Sequence, residues 1–203
     1  MYRQWDVPIV TLISDRSHDP FRILIATILS QRTKDAVTAQ ASERLFGLAS
    51  TPSRMAGLPE SAIRRAIYPA GFYRVKAGRI KVVARAIVDT YNGAVPDTIE
   101  ELLTLPGVGR KTANLVVGLG YGKPALCVDT HVHRITNRFG YIKTKTPLDT
   151  EMALRKVLPE RHWIIYNDLL VALGQAICHP VSPRCSVCPV SAYCLKVGVK
   201  RSR

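Results

Sequence analysis

Residues 102–117 read LLTLPGVGRKTANLVV, a tight turn between two stretches of helical character. The first stretch, residues 101–105, is short, and the second, residues 112–120, is strongly apolar. Gly107 and Gly109 permit backbone angles that other residues avoid, which suits a sharp reversal of the chain. The pattern therefore predicts a helix–hairpin–helix.

The glycines of this hairpin let main-chain N–H groups approach an anion without a side chain in the way. The positive N-terminal end of the following helix points at the same place. Such contacts bind a nucleic-acid backbone irrespective of base sequence. A turn that only joins two helices is the alternative, but the basic pair at its exit favours binding. We therefore predict DNA contacts from the hairpin residues Leu105, Gly107, Val108, Gly109 and Arg110.

Apolar residues recur at helical spacing through most of the chain, most clearly in residues 20–31, 76–91 and 163–177. Alternation with a period of two residues is nearly absent, so strands are not expected. Helix breakers fall between these stretches, for example at Thr51-Pro52 and at Thr146-Pro147. The sequence predicts an all-α protein of about ten short helices.

The charge of the chain is strongly positive, because 29 Lys and Arg against 15 Asp and Glu leave a formal net charge of +14 over 203 residues. This excess favours a polyanionic partner, although a scattered basic surface that only aids solubility would give the same total. No apolar run reaches the roughly 18 to 20 residues that a membrane span needs. The first residues also lack the layout of a signal peptide. We therefore expect a cytoplasmic protein with no membrane partner.

Four of the five cysteines lie close together near the C-terminal end, at Cys178, Cys185, Cys188 and Cys194. The surrounding segment is rich in Pro and Ser and has too little apolar pattern to fold by burial alone. Metal ligation is therefore favoured over buried thiols, and the lack of an export signal argues against disulfides. Zinc sites with four cysteines usually contain two Cys-x-x-Cys pairs, whereas this segment has one. The spacing favours a 4Fe–4S cluster modestly over zinc.

Lys111 and Asp129 are the candidate catalytic residues. Lys111 lies in the first turn of the helix after the hairpin, where the macrodipole is already positive. That potential favours the neutral amine of a Schiff-base nucleophile, but a phosphate contact fits the position equally well. Asp129 precedes the helical residues 131–139, and it or Thr130 could cap that helix. A fixed carboxylate would also stabilise positive charge on a sugar as a glycosidic bond breaks.

Taken in this order, these motifs resemble the endonuclease III family of helix–hairpin–helix DNA glycosylases. The similarity covers nearly the whole chain and is carried by residues 102–117, by VDTHVHRITNR at 128–138, by GFYRVKAGRI at 71–80 and by the cysteine segment. It implies two helical domains that flank a DNA-binding cleft. Residues 15–124 would form a six-helix domain with the hairpin. Residues 1–14 plus 125–203 would form a terminal domain with the cluster.

The resemblance also implies a bifunctional enzyme of base excision repair. Such an enzyme removes oxidised or saturated pyrimidines from duplex DNA and then cleaves the abasic site by β-elimination. Lys111 matches the Schiff-base lysine of the family, and Asp129 matches its catalytic aspartate. The four cysteines match the ligands of its 4Fe–4S cluster. The implied partner is double-stranded DNA with damaged bases or abasic sites, bound by a monomer that associates with the nucleoid.

Two further positions concern the DNA stack. Phe72 matches the position at which relatives insert an apolar side chain into the duplex, although a core phenylalanine is the alternative. Where the family often has a glutamine that fills the space of the extruded base, the alignment places Arg32, and Gln31 comes one residue before. The preference for the base opposite the lesion therefore stays open.

Two other functions fit parts of the sequence. A monofunctional glycosylase for mismatched adenine, thymine or uracil is one, but such relatives usually lack a lysine at the position of Lys111. A non-catalytic iron–sulfur protein that binds DNA would use only the hairpin and the cluster. The presence of Asp129 together with Lys111 makes this second function the weaker one.

Overall fold

The computed structural model describes residues 7–203, and in that part of the chain the secondary structure is helical, with no β-strand. The expectation of an all-α protein is confirmed. The chain divides into two compact units, one of which is Ile9–Lys123 and the other of which contains Pro124–Arg203. No helix within residues 7–203 combines the length and the apolar character that a bilayer span requires.

The unit Ile9–Lys123 contains eight α-helices, and α2 is at its centre. The helices are α1 (Ile9–Ser17), α2 (Pro20–Ser30), α3 (Asp35–Leu48), α4 (Pro52–Gly57), α5 (Glu60–Ile67), α6 (Tyr73–Tyr91), α7 (Ile99–Thr104) and α8 (Arg110–Leu115). A π-helical segment, Val116–Gly120, continues α8. Helix α2 is buried along nearly its whole length, as expected for a helix that is apolar on all sides. It packs against α1, α3, α6 and α8.

In its described residues, the second unit contains three α-helices and a C-terminal segment of irregular structure. The helices are α9 (Thr130–Phe139), α10 (Pro147–Val157) and α11 (Trp163–Ala176). Their core includes Val132, Ile135, Leu154, Trp163 and Leu170. Beyond Ile177 the chain forms only two short 3-10 turns, Cys185–Val187 and Ser191–Tyr193. This segment is therefore ordered by something other than helix packing.

Two predicted helix breakers coincide with helix starts. Thr51 caps α4, since its side chain accepts the N–H of Arg54 over 3.4 Å. Thr146 and Asp149 form a reciprocal capping box at the start of α10, with both hydrogen bonds 3.1 Å long. In both helices proline follows the cap, where its missing N–H costs nothing.

The start of the chain differs from the predicted domain boundary. The sequence predicts that residues 9–14 belong to the terminal domain, but they form part of α1, which packs against α2 and α3. The Ser14 hydroxyl also donates to the Leu119 carbonyl over 3.1 Å. These residues therefore belong to the larger unit. Residues 1–6 of the predicted terminal domain lie outside the described residues, and the assignment of the two units as separate domains stays a prediction.

Candidate active site

The hairpin has the features of a type II turn. Pro106 stands at its second position, Gly107 at its third with φ of +74°, and the Val108 N–H donates to the Leu105 carbonyl over 3.1 Å. The side chains of Leu105 and Val108 are buried, at 2% and 6% exposure. These two residues close the turn and anchor it. Their predicted DNA contacts are therefore restricted to backbone atoms.

The two glycines of the hairpin play different parts. Only Gly107 has the unusual backbone angle that the sequence suggested for both, because Gly109 has an ordinary φ of −97°. Both residues are exposed, and within residues 7–203 neither N–H donates to a backbone carbonyl. Nothing lies within 4 Å of the position that a Cβ of Gly109 would take. Open space beside Gly109 and two N–H groups without a backbone acceptor in the described residues suit a phosphate at this turn.

Lys111 stands on the exposed side of an otherwise buried helical turn. It is exposed in the first turn of α8, whereas the four residues that follow it are buried. The side-chain amide of Asn114 donates to the Arg110 carbonyl over 3.0 Å. The amine of Lys111 is therefore carried by a fixed element that begins directly after the hairpin.

Asp129 is the N-cap of α9, and the prediction of a cap at this place is confirmed. Its Oδ1 accepts the N–H groups of His131 and Val132 over 2.8 and 2.9 Å. The helix itself begins at Thr130, which is thus its first residue. Two hydrogen bonds to one oxygen fix the orientation of the carboxylate.

Two loops of the larger unit meet at Gly71. A Cβ at Gly71 would lie 2.3 Å from the Arg32 carbonyl oxygen, so only glycine allows this approach. The Gly71 N–H donates to the Thr33 hydroxyl over 3.1 Å. As a result the Arg32 guanidinium lies over the ring of Phe72, with 5.5 Å between its Cζ and the ring centroid. Phe72 is 61% exposed, so it is not a core residue.

Lys76, which the sequence did not indicate, holds one of these loops. Its Nζ donates to the carbonyls of Leu29 and Gln31, each over 2.6 Å, and to the Thr33 hydroxyl over 2.8 Å. Burial, and secondly the charge of Arg79, lowers the pKa of Lys76 to about 8. The only sequence signal for this residue is a lysine at a core position of the apolar pattern of α6.

The four predicted cluster ligands line one cavity together with Arg138, Phe139, Leu173 and Ile177. Within residues 7–203 no three His, Cys, Asp or Glu side chains are arranged to hold a single metal ion. Burial, and to a smaller degree the neighbouring cysteines, raises the pKa of the Cys188 thiol. A thiolate at Cys188 is therefore favoured only beside a positively charged centre, and four sulfurs spread around a cavity suit a cluster better than one zinc ion.

Arg138, on α9, is a second residue that the sequence did not single out. Its Nη1 donates to the Cys178 Sγ over 3.3 Å and to the His179 carbonyl over 2.7 Å, and its Nη2 donates to the Pro180 carbonyl over 2.6 Å. Arg134, one turn earlier, donates to the Cys178 carbonyl over 2.8 Å. The helix that Asp129 caps therefore also positions the first cysteine.

Comparison with known families agrees with this arrangement. Residues 25–160 match the family described as HhH-GPD superfamily base excision DNA repair protein. Residues 178–194, which begin and end at cysteines of the cavity, match the iron-sulfur binding domain of endonuclease III. Fold, hairpin and cysteine segment together define a helix–hairpin–helix protein of base excision repair.

Comparison with individual relatives shows to which family of this superfamily the chain belongs. Endonuclease III of Thermotoga maritima is 51% identical over 87% of this chain and 83% of its own length. The structure of a trapped endonuclease III–DNA covalent intermediate superimposes with a TM-score of 0.81 at 38% identity, over 88% of this chain and 84% of that one. A thermostable thymine-DNA glycosylase reaches the same TM-score at 26% identity, with 93% of both chains covered. The chain belongs to the endonuclease III family.

Membership of this family fixes the activity and the cofactor. The protein is a base-excision-repair DNA glycosylase that acts on damaged pyrimidines, with the abasic-site lyase activity typical of the family. It binds DNA, and it carries a 4Fe–4S cluster, so zinc is set aside. The function and the cofactor predicted from the sequence are confirmed.

Proposed function

We propose that Lys111 is the nucleophile of this glycosylase and that Asp129 is its charge-stabilising carboxylate. One observation carries the proposal: Lys111 presents its amine from the first turn of α8, directly after the hairpin that we expect to grip a phosphate. Asp129 supports it, because its cap holds a carboxylate in a fixed orientation. A fixed negative charge stabilises a sugar that becomes positive as its bond to the base breaks.

The proposed reaction begins when the damaged nucleotide leaves the base stack. The amine of Lys111 attacks C1′ of the sugar, the bond from C1′ to the base breaks, and the base leaves with its electron pair. The nitrogen loses one proton to the departing base and a second to the ring oxygen as the bond from C1′ to O4′ breaks, which leaves an imine at C1′. The imine acidifies C2′, so a proton leaves C2′ and the bond from C3′ to the phosphate oxygen breaks. One amine thus serves base removal and strand cleavage.

We propose duplex DNA with damaged pyrimidines or abasic sites as the partner, bound by a monomer at the nucleoid. The N–H groups of Gly107 and Gly109 and the side chain of Arg110 would contact the phosphate backbone. Two features support these contacts: the glycines are exposed, and α8 directs its positive end to the same turn. Contacts of this kind carry no base specificity, which suits an enzyme that inspects long stretches of DNA.

We also propose that Phe72 inserts into the base stack and that Arg32, which follows Gln31 in the chain, fills the vacated space. The exposure of Phe72 and its contact with Arg32 support this assignment. Arg32 is exposed, whereas Gln31 is partly buried and its carbonyl accepts from Lys76. A guanidinium offers donors only, so it favours acceptor-rich base edges opposite the lesion.

The assigned nucleophile is tested by reduction with borohydride during reaction, which traps an imine as a covalent adduct. We expect an adduct with the wild type and with Lys156→Ala, whose lysine is exposed on α10, and none with Lys111→Ala. An undiminished adduct with Lys111→Ala would remove Lys111 from this role. Base release without strand cleavage by the wild type would favour a monofunctional enzyme.

A further inference from the structure

Arg79, on α6, lies directly beside the apex of the hairpin. A Cβ built on Gly107 would lie 2.4 Å from its Nε, 2.7 Å from its Cδ and 3.0 Å from its Cζ. The guanidinium therefore occupies the space that a side chain at position 107 would take. Glycine at this position does more than allow a positive φ, because it leaves room for a cation against the turn.

The charge of Arg79 has no counterpart in the described part of the chain. Within residues 7–203 no acidic side chain pairs with its guanidinium, which is only partly exposed. Its charged neighbour is instead Lys76, a second cation on the same helix, whose pKa it lowers. Two neighbouring positive charges away from full solvation are unfavourable unless an anion joins them. The three donors of Lys76 have acceptors within the chain, whereas within residues 7–203 no carboxylate competes for the Arg79 guanidinium, which can therefore bind an anion from outside the chain.

We propose that Arg79 binds a phosphodiester group of duplex DNA and completes the phosphate site of the hairpin. The site would then combine the N–H groups of the exposed residues Gly107 and Gly109 with a guanidinium from a different helix. The planar fork of arginine matches two phosphate oxygens, which a turn alone does not provide. The inference rests on the proposed DNA contact of the hairpin and deepens it. Arg79 acts in binding and takes no part in bond breaking.

The salt dependence of binding to undamaged duplex DNA tests this inference. Each phosphate contact contributes about 0.9 to the slope of log K against log salt concentration. Arg79→Gln is expected to lower the magnitude of the slope by about 0.9, and Arg79→Lys is expected to retain most of it, since the charge remains. Arg85→Gln is the matched control, because Arg85 is exposed on another side of α6. This substitution removes the same charge from the protein as Arg79→Gln.

The possible outcomes separate the inference from the function on which it rests. An unchanged slope in Arg79→Gln overturns the inference, even if affinity falls, because that pattern reports a distorted hairpin and not a lost ionic contact. An equal loss of slope in Arg85→Gln also overturns it, since net charge would then explain the effect. Arg110→Gln serves as the variant of the hairpin itself. If it and Arg79→Gln both leave the slope unchanged, the DNA contact of the hairpin fails as well.

Discussion

Lys76 satisfies three acceptors with one ammonium group, and it does so in the interior of the larger unit. The three acceptors belong to the end of α2 and the loop after it, so the lysine ties that loop to α6. An ammonium has three N–H donors, and here each of them has a partner. The position of Arg32 beside Phe72 thus depends on the buried ammonium group of Lys76.

The lowered pKa of Lys76 predicts a dependence of stability on pH. Its value is about 8 in the folded protein against 10.5 for an ordinary lysine. Between these values the unfolded chain binds more protons than the folded one, so this group raises the free energy of unfolding as pH increases from about 8 to 10.5. In Lys76→Met this contribution is absent.

Urea unfolding of both proteins at several pH values checks this expectation. Other groups titrate equally in the two proteins, so the difference between them isolates Lys76. We expect the stability of the wild type relative to the variant to increase across that pH window. Parallel curves would show that the pKa of Lys76 is not lowered.

Gly107 and Gly93 form a matched pair for testing the hairpin. Both have a positive φ, +74° and +81°, but only at Gly107 would a Cβ meet another group, the Arg79 side chain. Alanine at either position is expected to cost about 1–2 kcal/mol for its backbone conformation. Gly107→Ala additionally displaces Arg79, so it alone is expected to weaken DNA binding. Thermal unfolding and binding assays measure both effects, and equal DNA affinities of the two variants would contradict the account.

At the residue scale the sequence predicts the role of a single residue better than it predicts the burial and the tertiary contacts of its side chain. The cap by Asp129 follows from a local pattern, because the partners of a cap lie within three residues. The burial of Leu105 and Val108 and the contact of Arg32 with Phe72 depend on residues far along the chain. Arg79 and Gly107 are separated in the same way. The apolar periodicity of the sequence does not predict contacts between residues so far apart in the chain.

At the scale of elements, α9 combines a cap with the proposed catalytic group, and two substitutions separate these roles. Asparagine caps a helix about as well as aspartate but carries no charge. Alanine provides neither a cap nor a charge. Asp129→Asn is therefore expected to keep the stability of the wild type and to lose most base excision. Asp129→Ala should lose excision and also about 1 kcal/mol of stability. Thermal unfolding and excision assays on the same preparations check this, and full excision by Asp129→Asn would leave Asp129 as a cap only.

Most helices could be predicted from the sequence because their starts carry local signals. Proline after threonine marks α4 and α10, and the apolar pattern of residues 163–177 corresponds to α11 within one residue. The sequence predicts one helix over residues 112–120, but the chain changes to a π-helical segment after Leu115. The last residue of that segment, Gly120, lies so close to Pro20 that a Cβ there would be 3.1 Å from the proline Cα. Such crowding is a tertiary effect, and periodicity does not predict it.

At the scale of the whole molecule, the cysteine segment should depend on the cluster for its order. Val181, Val187, Tyr193 and Leu195 are 61–85% exposed, so apolar burial does little to hold this segment. The cluster would supply bonds from iron to Cys178, Cys185, Cys188 and Cys194, which lock the loop from four points. Main-chain hydrogen bonds from Leu195 to Phe139 and from Ser186 to Arg203 add to this.

Removal of iron by a chelator is therefore expected to expose the segment to trypsin, which cleaves after lysine and arginine. Arg184, Lys196, Lys200 and Arg201 lie within or after the cysteine segment. Mass spectrometry should find early cleavage at these positions in the protein without iron and protection in the protein with its cluster. Identical digestion patterns would show that the cluster is not what orders the C-terminal segment.

The contacts of Arg138 with Cys178 and with the two carbonyls after it link α9 to the segment that the cluster is expected to order. Two of the three contacts of this side chain are with main-chain oxygens, and these persist only while the loop keeps its shape. During iron starvation newly made chains would lack the group that shapes the loop, and their ends would be open to cellular proteases. The amount of this repair enzyme, and with it the mutation rate, is then expected to follow the supply of iron.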